Sequence, residues 1–143
     1  MRILGIDYGD ARVGIAITDE LNITVQGLET IQRNGSDKIV LRRLDEILEK
    51  HDVDTIVVGM PLNMNGTISD RAKITQEFIH KLKCKYNKLK IDWIDERLTT
   101  VEAHKTMNFL DINKNKKRNI VDTISAVYIL ETYLNKIKNS VEK

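Results

Sequence analysis

Arg2-Ile3-Leu4-Gly5-Ile6-Asp7-Tyr8-Gly9-Asp10-Ala11-Arg12-Val13-Gly14-Ile15-Ala16-Ile17-Thr18 contains two apolar, β-branched-rich runs, 2–7 and 13–18, joined by a glycine-containing turn. A third extended run covers about 23–31, so the chain opens as a meander of three antiparallel strands. From Asp37 the period changes. Val40, Leu44, Ile47, Leu48 and His51 recur at the spacing of one helical face. Thr55-Ile56-Val57-Val58-Gly59-Met60 is then a short unbroken apolar run stopped by Pro61, as a strand buried on both faces would be. A loop over 61–69, with Asn65-Gly66 as its turn signal, leads to a helix over about 70–86 that turns Ile74, Phe78, Ile79, Leu82 and Tyr86 inward.

A fifth strand runs from Ile91 towards Glu96. Thr99 with Glu102 forms a capping box, which starts another helix. A lysine-rich loop is expected at 113–118, and Ile120, Ile124, Val127 and Leu134 mark a last helix to about Ile137. The order βββ-α-β-α-β-α-α predicts one α/β domain over residues 1–143, without repeat or linker.

With 41% hydrophobic and 31% charged residues, the composition is that of a globular domain rather than a disordered or fibrous chain. No apolar run approaches the ~20 residues that span a bilayer, and the apolar stretch after Met1 meets Asp7 too soon for a secretion signal. Cys84 is alone and cannot close an internal disulfide. These features predict a cytoplasmic protein with no membrane contact. The net charge of +2 hides an uneven distribution, because residues 1–71 sum to −4 and residues 72–143 to +6. An acidic pocket beside a basic surface suits a polyanion held at a metal site, although lysines also simply solvate helix faces.

Three carboxylates stand at places where an α/β sheet builds sites. Asp7 ends the first strand, Glu96 ends the last beside Asp95, and Asp122 is expected in the first turn of the last helix. Taken singly, each has an ordinary explanation as turn former, solvated strand end or partner of the helix dipole. Taken together, they could hold one or two hard divalent cations, Mg²⁺ or Mn²⁺, for hydrolysis of a phosphodiester. Adjacent strand residues point to opposite faces, so only one of Asp95 and Glu96 enters a given pocket. His51, His80 and His104 show no paired ligand spacing, and no zinc is expected.

The motifs themselves are specific. Gly5-Ile6-Asp7-Tyr8-Gly9-Asp10-Ala11-Arg12-Val13-Gly14 resembles the opening motif of the YqgF family, and Val57-Val58-Gly59-Met60-Pro61 with Gly66 resembles its middle one. Asp95-Glu96-Arg97-Leu98-Thr99-Thr100 resembles its most diagnostic motif, and Val121-Asp122 with Ala126 and Ile129-Leu130 its last. The matches occur in order over about residues 3–130; Ser125 departs from the alanine common there. The resemblance implies an RNase H-like fold, with three antiparallel strands extended by two parallel ones and flanked by helices. It also implies that Asp7, Glu96 and Asp122 are metal-binding catalytic acids of a nuclease. Members of that family are associated with processing the 5′ end of precursor 16S rRNA, and were earlier named for similarity to Holliday junction resolvases acting on branched DNA.

Further roles follow for nearby residues. Arg12 and Arg97 are candidates for substrate phosphate, and Lys114, Lys116, Lys117 and Arg118 would form a basic loop just before Asp122. Gly9 and Gly14 are expected to admit close backbone approach or a positive φ. Two rivals are weighed. Gly5-Ile6-Asp7-Tyr8-Gly9 also resembles the phosphate motif of sugar kinases and actin-like ATPases, but those close two such domains over a nucleotide and 143 residues supply one. A nucleic-acid-binding module without catalysis would not need all three acids. A resolvase would act as a homodimer, whereas an RNA-processing enzyme could act as a monomer.

Overall fold

The computed structural model describes the backbone of residues 1–96 and 114–142 and the side chains of 1–96 and 122–138. Its elements are β1 (Arg2–Tyr8), β2 (Arg12–Thr18), β3 (Val25–Gln32), α1 (Asp37–Lys50), β4 (Val53–Met60), α2 (Asp70–Lys85), β5 (Lys90–Asp95) and α3 (Lys114–Glu142). The strands form one sheet in the order β3-β2-β1-β4-β5. β1–β2 and β2–β3 pair antiparallel, while β1–β4 and β4–β5 pair parallel. The meander and its two parallel additions are thus as expected, with β1 at the centre.

Side-chain alternation assigns the two faces. Leu4, Ile6 and Tyr8 pack with Val13, Ile15, Ile56 and Val58 under α1 and α2, where Val40, Leu44, Ile47, Phe78 and Leu82 close the larger core. Ile3, Ala16, Val57 and Ile94 face the other way and meet Ala126, Ile129, Leu130 and Tyr133 of α3. A strand buried on both sides cannot alternate apolar with polar, which is why β4 reads as a continuous apolar run.

Both early helices begin at a serine cap. Ser36 accepts from the amide of Lys38, and Ser69 from that of Ala72 at 2.9 Å. Ser69 also donates to the carbonyl of Pro61 at 2.6 Å, so the start of α2 is tied to the end of β4. On the same face, Asp37 collects Tyr8 Oη, Arg33 Nε (2.9 Å) and Lys81 Nζ (2.7 Å), while Arg33 also donates to the carbonyl of Asp10 at 3.0 Å. This network anchors the β1–β2 turn, and with it the position of Asp7 and Arg12 on either side.

Several expectations need correction. Ile74 is exposed, and Ala72 and Thr75 are buried in its place, because the inward stripe of α2 is rotated from the one read off the largest apolar residues. His51 and Tyr86 lie just past their helices as C-caps rather than on a helical face. The lysine-rich segment from Lys114 to Arg118 is not a loop: it is the opening of α3. Lysine is a good helix former but carries no apolar period, so the helix became visible in sequence only at Ile120. Asp122 accordingly lies about two turns inside α3, beyond the reach of the end-of-helix dipole. The capping box at Thr99 and Glu102 lies outside the described residues.

Candidate active site

Asp7 is the last residue of β1 directed to the α3 face. Directly opposite in register is Gly14 of β2. A Cβ at Gly14 would collide with the backbone carbonyl of Asp122 and stand 3.1 Å from its Cβ. The absent side chain therefore lets α3 lie on the sheet at this point, and the need is for close approach rather than positive φ. Asp122 is thereby brought into electrostatic reach of Asp7. On the other flank, the pairing of Met60 with Asp95 fixes the end of β5, and the next residue, Glu96, hydrogen-bonds Asp7. Here too a glycine makes room, since a Cβ at Gly59 would lie 2.6 Å from Ile129 Cδ1 and 3.4 Å from the Glu96 carboxyl carbon.

The electrostatics follow from this crowding. Withdrawal from water, the charge of Glu96, the hydrogen bond with Glu96 and the charge of Asp122 all push the Asp7 pKa well above the usual carboxylate range, with Arg71 opposing them. Arg12 shares the α3-facing parity of Gly14, and its Nε donates to Asp122 Oδ2 at 2.7 Å between two partly buried side chains. Among the described residues, no three His, Cys, Asp or Glu side chains already surround a common point at ligand distances. The acids are gathered with Asp7 and Glu96 sharing a hydrogen bond and Asp122 drawn to Arg12.

The structure thus brings Asp7, Glu96, Asp122 and Arg12 together. It places Lys114, Lys116, Lys117 and Arg118 at the start of the helix that carries Asp122. Arg97 lies outside the described residues. His80 is exposed on α2, with its Nε2 3.6 Å from Cys84 Sγ. Sequence reasoning missed Arg71, the cation that acts on Asp7 from the first turn of α2. No motif signals it, because its relation to Asp7 depends on the Ser69 bond that seats α2 against the end of β4.

Comparison with known proteins agrees with the motifs. The model of the RuvX family, described as Holliday junction resolvase, matches residues 1–136. A protein of Ruminiclostridium cellulolyticum named "Putative pre-16S rRNA nuclease" is 53% identical over 137 residues, covering 96% of each chain. One of the same name from Acetivibrio thermocellus is 48% identical over 135 residues, covering 94% of this chain and 96% of the relative. Among solved structures, Thermus thermophilus RuvC aligns over 96% of this chain and 97% of its own with a TM-score of 0.55 at 10% identity. The same protein in complex with Holliday junction substrate covers 96% of both chains with a TM-score of 0.57, also at 10% identity. The fold is therefore that of RuvC, an RNase H-like fold, and the chain belongs to the RuvX family of nucleases.

Proposed function

We propose that this protein hydrolyses phosphodiesters in precursor 16S rRNA, near its 5′ end, with a divalent cation held by Asp7, Glu96 and Asp122. The observation that carries the reading is the convergence of three carboxylates from β1, the end of β5 and α3, with the Asp7 pKa raised by burial and then by the other two. Such a cluster is destabilising without a cation to neutralise it. All three donors are hard oxygens, which fits Mg²⁺ or Mn²⁺. When bound, the ion supplies Lewis acidity and lowers the pKa of an attacking water. Arg12 orients Asp122, and its guanidinium is suited to a phosphate oxygen; Arg97 is assigned the same substrate class. A nuclease acting on precursor rRNA works in the cytoplasm, and a monomer suffices for that role.

The deciding test offers the purified protein a precursor 16S rRNA leader and a four-way DNA junction side by side, with Mg²⁺ and with Mn²⁺. Cleavage of the leader, abolished by chelation, is expected. Preferential cutting of the junction would replace the rRNA reading by that of a resolvase acting as a dimer. Cleavage that survives exhaustive chelation would eliminate the metal.

The Arg12–Asp122 pair makes a separate prediction. In metal-free protein, Arg12→Gln should lower stability by about 1 kcal/mol, since the pair is partly exposed and one carboxylate is left beside two others. The deficit should shrink as Mg²⁺ is added, because the ion replaces the lost positive charge. Thermal melts across a Mg²⁺ titration read this out, and a deficit independent of Mg²⁺ would remove Asp122 from the ligand set.

The basic opening of α3 is assigned to the substrate backbone. Changing Lys114, Lys116 and Lys117 to glutamine keeps helix propensity while removing three charges. If each contacts a phosphate, the log–log salt slope of binding to single-stranded RNA should fall by roughly 0.7 per lysine. Binding unchanged at every salt concentration would make this segment a solvated helix end.

A further inference from the structure

The chain has one tryptophan, and it is not in the core: Trp93, on the edge strand β5, is 45% exposed. It lines a cleft of about 500 Å³ on the α2 face of the sheet. Met60 and Ile79 are buried beneath it, Leu62 and Ile68 form one wall, and His80 and Lys83 stand on the other. Among the described residues, no carboxylate lines the cleft. The neighbouring lysines of α2 are committed, Lys81 to Asp37 and Lys85 to Asp45, whereas Lys83 has no such partner among the described residues. An indole face beside uncommitted positive charge is the pairing that holds an unstacked base and its phosphate.

The cleft also adjoins a second depression at the start of α2. Leu62 and Ile68 are shared with this depression of about 560 Å³, which is also lined by Ser69, Asp70 and Arg71. A strand lying across the 61–69 loop would therefore pass from Arg71 to Trp93. A duplex keeps its bases stacked inside and cannot present one to a recessed indole; a single strand can. We infer that the Trp93 cleft is a binding subsite for a single-stranded stretch of substrate RNA, with a base stacked on Trp93 and the adjoining phosphate at Lys83. This rests on the nuclease reading of the carboxylate cluster.

The lone tryptophan is its own probe. In EDTA, so that the RNA stays intact, a single-stranded RNA oligonucleotide should quench Trp93 emission, and the same sequence as a duplex should quench it far less. By anisotropy of a labelled oligonucleotide, Trp93→Leu, which keeps apolar bulk but loses the π face, should bind about tenfold more weakly. Trp93→Phe should recover part of the loss. Oligonucleotide that is bound by anisotropy yet leaves the emission unchanged, equal quenching by duplex, or full affinity of the Leu variant would each overturn the subsite. If emission instead shifts with protein concentration alone, in step with dimer formation, the face is a subunit contact and the proposal falls. Intact metal-dependent cleavage with no quenching rejects the subsite alone, whereas a protein that neither binds nor cuts RNA overturns the nuclease reading with it.

Discussion

Replacing Asp7 with asparagine is expected to cut turnover about 10²-fold or more while making the metal-free protein more stable. The kinetic loss follows because an amide removes a ligand charge at nearly constant volume, and about 3 kcal/mol of lost charge stabilisation is a factor of about 10². The gain in stability follows from the raised pKa. Burial first, then Glu96 and Asp122, disfavour the ionised form in the folded state. Below the unfolded carboxyl pKa both states hold the proton and no penalty exists. As pH rises above it, the unfolded chain releases its proton freely and the folded chain does not, so stability declines until the raised folded value is passed. The asparagine carries no such penalty. Its advantage in melting temperature, measured in EDTA, should therefore be small at acidic pH and widen towards neutrality. Retained turnover would exclude Asp7 from the site, and an advantage that does not change with pH would mean that the carboxylates do not repel one another. Glu96→Gln and Asp122→Asn should be comparably inactive, and double variants little worse than singles, because the acids act as a unit.

Gly14→Ala is expected to cost about 3 kcal/mol or more and to abolish cleavage in whatever protein remains folded. The added methyl would strike the backbone of α3 at Asp122, and a backbone in a packed helix cannot rotate away as a side chain can. Either α3 lifts from the sheet or β2 bends, and both take Asp122 from Asp7. Gly27 offers a comparison within the same seat. A Cβ there would meet Thr123 Cγ2, a side-chain methyl. Gly27→Ala should therefore be milder and should be rescued by Thr123→Ser, which removes that methyl and keeps the hydroxyl bonded to Thr30 at 2.8 Å. No trimming of a side chain should rescue Gly14→Ala. Chemical denaturation of the variants, paired with cleavage rates, separates the cases; a Gly14→Ala protein of wild-type stability would show that the helix seat is looser than the glycine contact implies.

The sheet was legible because its information is local. Two apolar runs around Tyr8-Gly9-Asp10-Ala11-Arg12, an uninterrupted Thr55–Met60 run and helical periods after Asp37 each reflect burial imposed on a few consecutive residues. The same period-two rule that alternates strand faces sets Glu96 and Asp95 on opposite sides from the sequence alone. The start of α3 was not legible, since Lys114 to Arg118 are all polar and a polar run carries no apolar period.

By itself, then, the sequence determined the strand meander and the helices that follow it, because strand and helix periods are written along the chain, while the resemblance of its motifs implied the two parallel additions and marked the three acids. Only the tertiary structure decided that Gly14 and Gly59 clear the ground on which Asp122 and Glu96 meet Asp7, that Arg12 is held by Asp122, and that Arg71 and Trp93 line adjoining depressions on either side of the 61–69 loop. Those relations join residues as far apart in the chain as Asp7 and Asp122. No local period or propensity encodes them; they arise when helices dock on a sheet, and the docking distance is set by the side chains that are absent as much as by those present.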